Sequence, residues 1–189
     1  MAEEEEEERL VPAYPNRHRA ESKATRSAVI LLLLASALLT AIVAIASVPV
    51  AASPGMELIG FLYIVLFLVM AYFIFKWSRG VLAMVAAFAV LFALLSIVAA
   101  PAWFARDKPG FAAALLPASA IGLIMIVLVP IMLILVAFAM RGFNQGWHIE
   151  VPVPEHEARE NLADRFDEGG RRIEHDEDED EDEEDEERG

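Results

Sequence analysis

The feature that most constrains this chain is where its charges are not. Between residues 28 and 140 it holds only two acidic residues, Glu57 and Asp107, although it carries 29 in all. Apolar residues fill that block. A soluble domain instead spreads them along the chain at helix or strand periods, under a mixed polar surface. So strict a separation excludes an ordinary globular enzyme and describes a polytopic membrane protein with charged ends. The acidic residues of those ends set the formal net charge of -14.

Within the block, prolines, glycines and interfacial residues mark four spans, over about 27–48, 58–75, 81–100 and 118–140. About 20 residues rising ~1.5 Å each cross the ~30 Å of hydrocarbon in a bilayer. Pro49 and Pro54-Gly55 close the first span, and Lys76-Trp77-Ser78-Arg79 closes the second with the residue types of a membrane–water interface. Pro101, followed by Trp103 and Phe104, is expected to end the third. Pro117 sits near the start of the fourth, where its missing N–H costs nothing. The fold class is therefore an all-α integral membrane protein with four transmembrane helices, arranged as two consecutive helical hairpins with disordered charged termini. A weak echo supports the hairpin repeat: Ala37-Leu-Leu-Thr40 resembles Ala93-Leu-Leu-Ser96, and Pro54-Gly55 resembles Pro109-Gly110.

Orientation follows from lysine and arginine near the span ends, not from net charge. One side holds Arg9, Arg17, Arg19, Lys23, Arg26, Lys76, Arg79 and Arg141; the other holds Arg106 and Lys108. Eight against two predicts a multi-pass protein of the plasma membrane with both termini cytoplasmic. Ala44-Ile45-Ala46 resembles a small-residue cleavage site, but the apolar stretch is longer than the 7–15 residues of a signal peptide, so an uncleaved span is expected.

Four regions result. Residues 1–27 are predicted to be a disordered cytoplasmic N-terminus, acidic and then basic; residues 28–141 form the transmembrane domain. Residues 142–173 are read as a cytoplasmic linker, with Val151-Pro-Val-Pro154 as an extended spacer and a short amphipathic helix over 154–168. In that helix Ala158, Leu162 and Phe166 make a narrow apolar stripe that Gly169-Gly170 would end. Residues 174–189 are predicted to be a disordered polyacidic tail, because such a run buries too little to offset its ordering entropy.

An ionisable residue inside a span is the strongest functional signal in a membrane protein. None is present here, and all four histidines (His18, His148, His156, His175) lie outside the spans. The chain also lacks cysteine. These features argue against haem ligation within the bilayer, an embedded proton relay, intramembrane proteolysis and thiolate chemistry. The expectation is no enzyme activity, with no catalytic, cofactor-binding or metal-binding residues and no cofactor. Asp176, Asp178, Asp180 and Glu187 match a calcium-loop spacing, but Glu181 stands where the loop needs glycine. His148 and Glu150 could meet His156 on a metal only if the proline-rich spacer folded back.

What remains is mild. Ser36, Thr40, Ser47, Ser96 and Ser119 are small polar residues, and Ala37/Ala41, Ala83/Ala87 and Ala89/Ala93 have the spacing that lets helices approach closely. Pro130 breaks one hydrogen bond in the middle of span four and should kink it. The basic segment from Arg17 to Arg26 suits anionic lipid headgroups, at roughly 1 kcal/mol per residue. No nucleic-acid partner is expected. Twelve Arg against three Lys suits a prokaryotic source. The sequence thus predicts an accessory or scaffold subunit of a larger membrane complex, with its acidic tail in the cytoplasm. The alternative is a homo-oligomeric channel, holin-like pore or small transporter, which would line a wet face with Ser36, Thr40 and Ser96.

Overall fold

A computed structural model of the chain describes residues 10–50, 54–154 and 162–173. The chain divides into two compact units, one comprising residues 19–148 and the other combining the segments before and after it. The elements run β1 (Leu10–Ala13), α1 (Pro15–His18), α2 (Ala20–Ser47), a 3-10 turn (Val48–Val50), α3 (Pro54–Phe75), α4 (Arg79–Ala105), α5 (Ala118–Asn144), β2 (Val151–Pro154) and a second 3-10 turn (Leu162–Asp164).

Helices α2 to α5 make the larger unit, and all four are long and apolar enough to cross a membrane. α2 packs on α3 and α4 packs on α5, so the two expected hairpins are the strongest helix pairs; α2 also packs on α5. Each helix buries one stripe: Val29, Leu33, Ser36, Thr40 and Val43 on α2, and Leu82, Val85, Ala89, Phe92 and Ser96 on α4. Tyr63 and Phe67 of α3 meet Phe92 of α4 at ring-centroid distances of 4.5 and 5.4 Å. The opposite faces are apolar too: Leu31 is 66% exposed and Val98 76%. Such faces are at home in lipid, which leaves shape and small residues to select the inner stripe.

The second candidate span, Leu58–Phe75, matches the expected one, whereas α2 begins before its expected span, α5 runs on past its own and α4 does both. α2 and α4 have 28 and 27 residues, or about 40 Å at ~1.5 Å each, which matches hydrocarbon plus headgroup layers. Pro101 does not end the third span, contrary to the expectation; α4 runs through it to Ala105. Proline deletes one hydrogen bond, to Ile97, and a helix in lipid survives that because an isolated break is cheaper than unwinding into hydrocarbon.

The smaller unit corrects the expectation of a disordered residue 1–27 region. Residues 10–13 form β1, which pairs antiparallel with β2 in the register Leu10↔Pro154, Val11↔Val153, Pro12↔Pro152 and Ala13↔Val151. Proline cannot donate, so Pro12 opposite Pro152 is a non-hydrogen-bonded pair, and the flanking valine and alanine pairs carry the ladder. The Val-Pro-Val-Pro segment is extended as predicted, but it is a strand rather than a free spacer. Ala13, Val153, Leu162 and Phe166 are buried together. Leu162 and Phe166 thus find a core, with Leu162–Asp164 in a 3-10 turn, and Pro154 is the last residue of β2. Residues 155–161 of the expected helix, with Ala158 and His156, lie outside the described residues, as do residues 1–9 and the acidic tail 174–189.

Candidate functional site

In the helical unit a ring of arginines and aromatics forms where α2 begins and α3 and α5 end, and a largely apolar cleft lies between α4 and α5. The ring starts from the basic residues that predict orientation. Arg26 lies with its guanidinium carbon 4.7 Å from the Phe75 ring centre and 4.5 Å from that of Trp77. It also donates to the Phe75 carbonyl at the end of α3. Arg79 donates from Nε to the Phe143 carbonyl (3.0 Å) in the last turn of α5 and covers the Phe143 ring at 4.2 Å. Helix C-termini leave carbonyls unpaired and carry partial negative charge, so cations there cap two helices and gain cation–π contact besides.

Trp77 makes this packing in an unusual conformation. It terminates α3 with φ +62°, a left-handed value normally left to glycine. The Ser78 N–H reaches back to the Phe73 carbonyl (3.1 Å) and the Trp77 N–H to that of Ile74 (3.0 Å), the paired bonds of a Schellman cap. The indole meets Trp147 edge-on at 5.2 Å. Trp147 is wholly buried and donates to Gln145 Oε1 (3.2 Å), whose amide donates to Thr25 Oγ1 (3.1 Å). Gly142 makes room: a Cβ there would lie 3.2 Å from both Leu82 and Trp147. Arg79 Nη1 also approaches His148 Nδ1 at 3.1 Å; arginine only donates, so the facing imidazole nitrogen accepts. His148 is thus engaged by an arginine rather than by a carboxylate. The Arg141–Glu21 pair, at 3.2 Å, is exposed on both sides and contributes little.

The basic segment from Arg17 to Arg26 is split between the units. Arg17 lies over the Tyr14 ring at 3.9 Å in the smaller unit, and burial pulls its pKa below the ordinary arginine value. Lys23 is exposed on α2. Elsewhere in the smaller unit, Asp167 closes a turn onto Arg171. The backbone N–H of Arg171, then its side chain, hold the Asp167 carboxylate below the usual aspartate range. Among the described residues, no three His, Asp or Glu side chains gather as a metal site would require.

The span hydroxyls divide sharply. Ser36 donates to the Leu32 carbonyl (2.6 Å), Thr40 to that of Ser36 (2.7 Å) and Ser47 to that of Ala44 (3.0 Å). Ser96, at 1% exposure, is as buried as Ser36 and Thr40, yet its hydroxyl has no hydrogen-bond partner. It lines a cleft of about 640 Å³ between α4 and α5, together with Ile97, Pro101, Phe104, Ile126 and Pro130. Both helix-interior prolines therefore reach one cavity, and so do the residues four positions before them, whose carbonyls the prolines deprive of an N–H. Phe104 lies against Gly122, where a Cβ would come within 3.0 Å of its ring.

Sequence reasoning named Ser96 and Pro130 but did not join them, and it treated Pro101 as a stop. Both prolines sit four residues after an isoleucine in apolar surroundings, a recurrence that was readable but has no meaning until α4 and α5 pair. Of the small-residue pairs, Ala89 and Ala93 are buried, Ala37 is buried with Ala41 partly so, and Ala83 and Ala87 both face outward. Compared with protein-family models, characterised proteins and solved structures, the chain matches none.

Proposed function

We propose that this chain is a non-enzymatic multi-pass membrane protein acting as an accessory or scaffold subunit of a larger membrane complex. It sits in a prokaryotic plasma membrane with both ends in the cytoplasm. The observation that carries this reading is the state of its intramembrane polar groups. Three span hydroxyls are spent on their own helix backbones, and the outward faces present alkyl and aromatic side chains and the Ala83/Ala87 pair. A surface of that kind recognises other membrane helices by close fit and offers no reacting group to a substrate. The β1–β2 pairing supports the shared side of the two ends, since strands hydrogen-bond only within one compartment and four crossings return the chain to its start. The excess of basic residues on that side supports the cytoplasm.

Native purification through an affinity tag in mild detergent tests this reading. The expected result is a larger membrane protein co-purifying in fixed stoichiometry and lost from the complex when Ala83 and Ala87 are both replaced by leucine. A defined homo-oligomer with no partner, conducting ions or solutes in liposomes, would overturn it in favour of a pore.

A further inference from the structure

Three cations from two helices meet at one corner of the larger unit, where α2 begins and α3 ends. Arg26 is the fixed member: half-buried, it lies against the Phe75 and Trp77 rings and donates to the Phe75 carbonyl. Lys23 stands one turn before it on α2, and helix residues three apart are surface neighbours. Lys76 directly follows Phe75, with its Nζ 4.9 Å from the centre of the Tyr72 ring. Both lysines are exposed. Like charges so placed repel, and nothing on these two helices offsets them. The sequence has no acidic residue in 22–56 or 58–106. Glu57 belongs to the opposite end of α3, and Glu21 is engaged by Arg141 of α5.

We propose that this corner is a specific site for one anionic phospholipid of the leaflet at that end of the helices. Its phosphate accepts from the ammonium groups of Lys23 and Lys76, with the Arg26 guanidinium held beside them as a fixed third charge. Its acyl chains pass along Tyr72 and Phe75, which are 53% and 63% exposed. The chemistry selects net negative charge, because a zwitterionic headgroup would bring a further ammonium against three cations. The depth selects a lipid: tyrosine and tryptophan beside lysine mark the membrane–water interface, which is where lipid phosphates lie. The stretch from Arg17 to Arg26 by itself predicts only diffuse attraction to a leaflet. The structure narrows it to Lys23 and Arg26, adds Lys76 from α3, and holds Arg17 over Tyr14 in the smaller unit. The site requires a bilayer and is independent of the accessory role.

The test uses the full chain, purified in detergent and titrated with phosphatidylglycerol or phosphatidylcholine, with bound lipid counted by native mass spectrometry. The expected result is one phosphatidylglycerol bound at least about 5-fold more tightly than phosphatidylcholine, the margin that a single well-placed cation supplies. Lys23→Gln and Lys76→Gln change exposed side chains and should each weaken phosphatidylglycerol binding by about 5-fold, leaving phosphatidylcholine unaffected. Lys108→Gln removes the same charge beyond the far end of α4 and should change neither. Equal affinity for the two lipids would overturn the proposal, as would equal losses from all three variants, which describe diffuse attraction rather than a site. Carbodiimide cross-links joining Lys23 or Lys76 to residues 176–187 in the presence of phosphatidylglycerol would also overturn it, by putting the acidic tail in the lipid's place.

Discussion

Trp77 shows how much a single side chain can ask of its backbone. A non-glycine residue held left-handed costs about 1–2 kcal/mol, and it persists only where contacts outweigh that cost. Here the contacts are Trp147 at 5.2 Å and Arg26 at 4.5 Å. Two substitutions separate strain from packing. Trp77→Ala loses the indole and keeps the strained φ, so it should lower stability by about 2–3 kcal/mol, below the range for a fully buried tryptophan. Trp77→Gly loses the same contacts but relieves the strain, and should be the more stable of the two by about 1 kcal/mol. Reversible unfolding in mixed micelles compares them directly; a glycine variant no better than the alanine one would show that the backbone is not strained. Sequence reading placed Trp77 at an interface from its neighbours Lys76 and Arg79. That it replaces the glycine of a helix cap was not legible, because the signal is a dihedral angle and the residue stabilising it, Trp147, is 70 positions away.

At the scale of elements, hydropathy alone was enough for α2 to α5, because a membrane span is defined by length and apolar composition. It said less about which face of each helix turns inward, since lipid and core accept the same side chains. Only Ser36, Thr40 and Ser96, with the alanines beside them, marked the inner stripe. The second span, 58–75, and the start of the fourth at Ala118 agree with the structure, whereas the end of the third does not: Pro101 stops a helix in water, where freed groups are solvated, but not in a bilayer. The small sheet was missed because its two strands are four residues each, proline-rich and separated by the whole membrane domain. Their pairing depends on a core of few side chains, so one charge should undo it. Val153→Asp places a carboxylate where Val153 is wholly buried against Ala13, Leu162 and Phe166. Hydrogen exchange should then speed up at Val11, Ala13, Val151 and Val153 while the amides of α2 to α5 stay protected. Unchanged protection in β1 would mean that the sheet does not depend on this core.

Over the whole molecule, the division of labour follows the division of charge. Four helices without an ionisable residue in their predicted spans provide an apolar body, and the chain segments on either side of them join into a second, polar unit. That junction ties together β1 and β2 from opposite ends of the membrane domain, which works only if an even number of crossings separates them. Topology is therefore the central claim, and the absence of native cysteine makes it directly accessible. Single cysteines at the exposed positions Lys23, Lys76, Lys108 and Asp164 can be probed in intact cells and in inverted membrane vesicles with a membrane-impermeant maleimide. The account predicts that Lys108→Cys reacts in intact cells, whereas the variants at 23, 76 and 164 react only in inverted vesicles. Reaction of Lys23→Cys and Asp164→Cys from opposite sides would contradict both the four-span fold and the pairing of the two strands.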